Sequence, residues 1–150
     1  MKYMKRSEDT EQICLMDWAS SAVCRFPELR WLYHIPNGGT RNMQEAVKLK
    51  RMGVKSGVSD IHLPFPHGKY HGLYIEMKYG RNTATQEQVE FMCDMKEAGH
   101  FVAVCHDAQS AISLIEQYIN LSSRGRIAVC ELENKNVYWA DDGICHIKSV

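Results

Sequence analysis

No apolar run in this chain approaches the length of a membrane-spanning helix, so neither a membrane span nor a membrane partner is expected. The opening MKYMKRSEDTEQ is charged and lacks the apolar centre of a secretory leader. Net charge is lacking too: 18 basic residues balance 18 acidic ones, which leaves no global field to attract nucleic acid or lipid. The six cysteines form no CxxC pair and are scattered at 14, 24, 93, 105, 130 and 145, which argues against an iron–sulfur cluster. Several lie in apolar runs such as FVAVCH and RIAVCEL, where a free thiol packs as a small hydrophobe. A reducing cytoplasm is the expected compartment. There are no internal repeats and no low-complexity segment.

What is present is an ordinary globular composition, 45% hydrophobic and 24% charged, at a length that suits one domain. Charge is local rather than absent. Arg41, Lys48, Lys50, Arg51 and Lys55 share a stretch with one acid, Glu45, while Glu131, Glu133, Asp141 and Asp142 lean the other way. Ser7 followed by Glu8, Asp9 and Glu11 predicts a capped helix, with Leu15, Trp18 and Ala22 as its inward stripe and Pro27 as its end. Extending that stripe backward reaches Glu11 and Glu8, so an acid is expected on the inward face.

LRWLYHI reads as a strand, PNGGT as a loop, and NMQEAVKLKRMG as a basic helix capped by Asn42 and ended by Gly53. A strand near 58–63, a Pro/Gly turn at PFPHGK and a strand in YHGLYIEMK form a hairpin. Thr85 caps a helix running to Ala98, HFVAVCH is a fully apolar strand, and Asp107 or Ser110 starts a last helix. RIAVCELENKNVYWADDGICHIK reads as strands with turns at ENKN and DDG. This order predicts an α/β fold, a mixed sheet flanked by helices with a β-rich carboxy-terminal extension.

The hairpin carries unexpected charge. Side chains alternate along a strand, so Glu76 and Lys78 share a face, roughly 7 Å apart. A turn near His67 brings Asp60 level with Glu76 on the neighbouring strand. Two carboxylates there repel each other unless a cation lies between them. Mg²⁺ or Mn²⁺ fits such an oxygen site, polarises a phosphoryl group and acidifies water, with Lys78 beside it to steady developing charge. A solvated strand face with alternating Glu and Lys has the same spacing, and spacing alone does not choose between them.

The surrounding blocks narrow the choice. HIPNGGTRN (34–42), LKRMGVKSGVSDIHLP (49–64), HGLYIEMK (71–78) and TQEQ (85–88) follow one another in this order. Together they resemble the VRR-NUC domains, the virus-type replication-repair nucleases of the PD-(D/E)xK superfamily, above all the small stand-alone members of phages and prophages. The resemblance implies a nuclease domain over 1–120, with 121–150 extending the same domain. It implies Mg²⁺- or Mn²⁺-dependent DNA cleavage in a bacterial host cytoplasm, with homodimers acting on branched DNA such as four-way junctions. Asp60 and Glu76 correspond to the metal-binding acids, the Met77 backbone carbonyl to a third ligand, and Lys78 to the catalytic lysine. Gln88 matches a glutamine near the active site, and Glu8 an acid on the first helix, with Glu11 as its rival. Ser59 stands where the family usually has proline, which alters backbone stiffness but removes no ligand. A non-catalytic DNA-binding module and an exonuclease are the alternatives.

The same resemblance favours DNA contact by Asn37, Gly38, Gly39 and Arg41, although an ordinary turn reads alike. Lys48, Lys50, Arg51 and Lys55 form either a phosphate-binding face or a solvated one. His67 and His71 have the helical spacing of a zinc pair, but the surrounding Pro and Gly exclude a helix. Met43, Met52, Met92 and Met95 are expected as core filler and Trp18 and Trp31 as core, and Trp139 is read as core in preference to a ring that stacks on a base.

Overall fold

The structure, a computed structural model, describes residues 5–37 and 42–150. Six strands form a single sheet: β1 (Tyr33–His34), β2 (Ile61–Leu63), β3 (Leu73–Met77), β4 (Phe101–Cys105), β5 (Lys135–Trp139) and β6 (Cys145–Ser149), ordered β1-β2-β3-β4-β6-β5. β1, β2 and β3 are antiparallel neighbours, β3, β4 and β6 run parallel, and β5 returns antiparallel on β6. The helices are α1 (Glu8–Ala22), α2 (Met43–Arg51), α3 (Gln86–Glu97) and α4 (Ala108–Ile119).

Alternation along the strands divides the core in two. Leu73, Ile75, Met77, Ala103, Cys105 and Ile147 face one side and pack with Leu15 of α1 and Leu114 and Ile115 of α4. Val102 and Val104 face the other side and pack with Met92 of α3 and with Ile144. Glu76 and Lys78 belong by alternation to this second side.

The helix caps are those read from the sequence. Ser7 and Thr85 each form a capping box, and the Asn42 and Asp107 side chains accept from the N–H groups of Glu45 and Ser110. Asp107 also accepts from the Ser149 N–H (2.8 Å) and hydroxyl (2.7 Å), which joins the start of α4 to the end of β6.

Two segments expected as strands are shortened or absent. Pro27 fixes φ for a 3₁₀ turn over Pro27–Trp31, so Leu29 and Leu32 share the buried face and Trp31 points out, 57% exposed. β1 is left with two residues. In RIAVCEL the backbone bonds to side chains instead of a ladder. The Ile127 N–H donates to the Tyr70 hydroxyl and the Ala128 carbonyl accepts from Gln117, before a 3₁₀ turn at Val129–Glu131.

Three further core assignments fail. Met43 and Met52 are 83% and 70% exposed, because α2 buries none of its residues. Trp139 is 56% exposed, with the Lys96 ammonium 5.7 Å from its ring centre. Met92 is fully buried, and Met95 and Trp18 are partly so.

Burial alone would raise the Asp107 pKa, but hydrogen bonds from Ser149 and Ser110 outweigh it and hold the carboxyl below its ordinary 3.8. A depressed folded value means that this stabilisation is present above the unfolded pKa and fades as pH falls through the folded one. We expect Asp107→Ala to cost about 1–3 kcal/mol near neutral pH and to flatten the acid limb of the stability curve below about pH 4. Denaturant melts across pH test both; a difference that does not shrink in acid would remove Asp107 from the account.

Candidate active site

The β2–β3 register pairs Ile61 with Ile75, so Asp60 lies level with Glu76. Asp60 is anchored through both backbone and side chain. Its carbonyl accepts the Ile35 N–H (2.7 Å) and lies 2.9 Å from His34 Nδ1. Its Oδ2 accepts the Met77 N–H at 2.9 Å. Met77 is thus held against the Asp60 carboxylate, on the residue whose carbonyl the family pattern assigns as a ligand.

Glu76 is fully buried. Its Oε1 accepts from Lys78 Nζ at 2.9 Å and from Gln88 Nε2 at 2.7 Å. The other end of the Gln88 amide accepts the Thr85 N–H (2.8 Å), so the cap of α3 also orients the amide toward Glu76. The Lys78 ammonium is 4.0 Å from Glu8 Oε1. Residues from α1, β3 and α3, together with the residue preceding β2, therefore converge as the sequence predicts.

Burial, then the charge of Asp60, pushes the Glu76 carboxyl up to about 8. Burial opposes the charge of Lys78, yet its hydrogen bond to Glu76 and the charges of Glu76, Glu8 and Asp60 raise its pKa. Glu8 is raised as well, chiefly by burial, with Lys78 pulling it back.

One atom stands out. Glu76 Oε2 is buried and has no hydrogen-bond partner among the described residues. With the carboxyl pushed up to about 8, that oxygen shares a proton with the facing Asp60 in the absence of a cation, and a cation between the two carboxylates would take the proton's place. The donor set, two carboxylates and a peptide carbonyl, is hard oxygen, which suits Mg²⁺ or Mn²⁺. No group of three or more His, Cys, Asp or Glu side chains among the described residues could hold a metal, so water would complete the shell, as Mg²⁺ prefers.

Glu11, the rival of Glu8, serves elsewhere. It is buried on the α1 stripe, accepts the Ala108 N–H at 2.9 Å at the start of α4, and pairs with Arg6 at 2.7 Å. One acid of that stripe closes a helix end and the other reaches Lys78. Asn37 donates to the Val58 carbonyl at 2.8 Å, which ties its loop to the approach of β2. Gly38, Gly39 and Arg41 lie outside the described residues. Lys48, Lys50, Arg51 and Lys55 are exposed on and after α2. Sequence reasoning missed His34, whose hold on Asp60 spans 26 residues and leaves no local signal. Ser59 is fully buried with its hydroxyl unpartnered among the described residues.

No family model matches the chain, and no curated protein does. Among solved structures, one described as a "VRR_NUC domain protein" aligns with a TM-score of 0.70 at 32% identity, covering 83% of this chain and 99% of that one. The chain belongs to the VRR-NUC family. Its six-stranded mixed sheet with flanking helices is the α/β nuclease-like fold of that family. VRR-NUC membership makes the Asp60–Glu76 acid pair and its lysine the candidate centre of a nuclease-family protein.

If the pair holds an ion, adding Mg²⁺ or Mn²⁺ should raise the melting temperature of the wild type. The stabilisation should be roughly 2–3 kcal/mol at a hundredfold excess over Kd, and absent in Asp60→Asn. Equal shifts in both proteins would place the ion elsewhere.

Proposed function

We propose that this VRR-NUC protein is a divalent-metal-dependent DNA endonuclease that hydrolyses phosphodiester bonds, with branched DNA as its preferred substrate. The observation that carries the reading is the Glu76 carboxylate. One oxygen is saturated by Lys78 and Gln88, and the other is buried, receives no donor among the described residues and faces Asp60.

Asp60, Glu76 and the Met77 carbonyl would hold Mg²⁺ or Mn²⁺, which when bound supplies Lewis-acid polarisation of the phosphoryl group and a more acidic water. The remaining work belongs to the chain. Gln88 fixes the Glu76 carboxylate so that one oxygen faces inward. Lys78 keeps its proton in this acidic setting and donates toward the phosphoryl oxygens as charge grows on them. Glu8 partly neutralises Lys78 and closes the side nearest α1.

Asn37, Gly38, Gly39 and Arg41, with Lys48, Lys50, Arg51 and Lys55, would grip the DNA backbone. A homodimer suits a two-fold junction, since one symmetry operation relates both sites to both cuts. Met43, Val47 and Met52 give α2 exposed apolar surface of the kind an interface covers. The presence of Asp60, Glu76 and Lys78 together favours an enzyme over a binding module.

The deciding experiment offers a labelled four-way junction, a flap and plain duplex to the wild type, Asp60→Ala and Lys78→Ala, with Mg²⁺, Mn²⁺ or EDTA. We expect cutting only with metal, strongest on the junction and abolished in Asp60→Ala. Lys78→Ala should still bind DNA and metal, with cleavage reduced roughly 10²–10³-fold. Binding without cutting by the wild type would favour the non-catalytic module, and shortening from an end would favour the exonuclease.

Reversing charge at Lys50 and Arg51 should weaken DNA binding and reduce its log–log salt slope by roughly two, near 0.9 for each lost phosphate contact. An unchanged slope would turn α2 away from the DNA.

A further inference from the structure

The polar face that carries Asp60, Glu76 and Lys78 does not end at β3. Register continues it across the sheet. Glu76 is paired with Val104 and Val104 with His146, so one step further Lys78, His106 and Lys148 stand level on neighbouring parallel strands. All lie on the face that carries Glu76. Two strand spacings, roughly 10 Å, separate Lys78 from Lys148 at the backbone.

A recess of about 290 Å³ opens there, lined by Arg81, Asn82, Thr83, His106, Tyr138 and Lys148. Its wall is built rather than incidental. His106 and His146 are both buried, His106 Nε2 lies 3.1 Å from His146 Nδ1, and the Tyr138 hydroxyl lies 3.1 Å from that same Nδ1. The Tyr138 and His146 rings stack with centres 4.6 Å apart. His106 Nδ1 is buried facing the Gly80 backbone, without a hydrogen bond of good geometry. Burial, first of all, lowers the pKa of both histidines, so the recess draws its charge from elsewhere.

That charge is Arg81 and Lys148. Both are exposed and, like most lysines and arginines among the described residues, form no ion pair; what sets them apart is that they meet at one recess. Gly80, at φ +64, bends the loop after β3 and the Asn82 N–H returns to the Tyr79 carbonyl at 3.2 Å, which carries Arg81 to the recess. Two cations meeting over a fixed histidine–tyrosine wall, with Asn82 and Thr83 beside them, make an anion pocket. Its position, level with the proposed catalytic lysine, selects the anion.

We propose that this recess is a phosphate subsite, which holds a non-scissile phosphate of the same DNA strand about one or two nucleotides from the cut, with Arg81 and Lys148 as its counter-charges. The proposal rests on the nuclease reading above and gives residues 121–150 a role in the substrate site through Tyr138 and Lys148. A phosphate here could be an internal diester or the monoester of a 5′ end, and the same chemistry binds either.

The test walks a single neutral methylphosphonate along a strand that the wild type cuts and measures binding in a Lys78→Ala background, where the DNA stays whole. A companion strand lacks its 5′-phosphate. We expect one position near the cut where neutralisation weakens binding about tenfold. In Arg81→Ala/Lys148→Ala the same substitution should have no effect, and in Arg81→Lys/Lys148→Arg the sensitivity should return. A sensitive 5′-phosphate in place of an internal linkage supports the pocket as an end-binding one. An alanine variant with the parent's full profile overturns the proposal. Cutting by the wild type is scored in parallel: failure to cut any substrate overturns the nuclease reading, whereas cutting with an unaltered alanine profile overturns the subsite alone.

Discussion

Two carboxylates held level on a hairpin, one of them fully buried, form the constraint around which this molecule is organised. Glu76 sits inside the mixed sheet, on a strand paired on both sides, where an unmatched charge is costly. The fold meets that cost on one oxygen only, with Lys78 two residues on and Gln88 from the next helix. The second oxygen faces Asp60 without a donor among the described residues. Much of the nearby structure maintains this asymmetry. The cap of α3 orients the Gln88 amide, the Met77 N–H pins Asp60, and the backbone near β1 holds the Asp60 carbonyl.

The two acids of α1 show how one helix face can serve the fold and the site together. Glu11 takes the start of α4 and thereby docks α1 against the sheet. Glu8, one turn earlier on the same stripe, then falls within 4.0 Å of Lys78. Moving Glu11 would shift the helix that delivers Glu8. At the same end of α4, its cap Asp107 does similar work by joining that helix to β6. The start of α4 is thus fastened twice, by its own cap Asp107 and by a carboxylate 97 residues away.

What could be read from the sequence follows from the range of the interaction. Caps at Ser7, Asn42, Thr85 and Asp107 involve residues three apart and were legible, as was the hairpin that sets Asp60 opposite Glu76. The roles expected for Glu76, Lys78 and Gln88 came from resemblance, and the geometry brings those side chains into contact. The strand expected at LRWLYHI failed because an apolar run cannot distinguish a three-residue period from a two-residue one when Pro27 favours the former. Met43 and Met52 were misplaced because hydrophobicity predicts burial only where something exists to bury against, and α2 has no such neighbour. His34, Glu11 and the histidine–tyrosine wall depend on pairings across 26, 97 and 40 residues, which no local pattern announces.

The strand order has a consequence for how the chain is assembled. β4 is paired on one side by β3 and on the other by β6, whose residues are the last of the sheet to be synthesised. Domains form as the chain emerges, beginning from the amino-terminal side. Until residues 145–149 are made, the nascent protein carries a finished acid pair beside an apolar strand with one edge open. Such an edge is a template for wrong pairing, so β6 acts as the closing seam of the fold, and an incompletely made chain is more exposed to aggregation than its buried core would suggest.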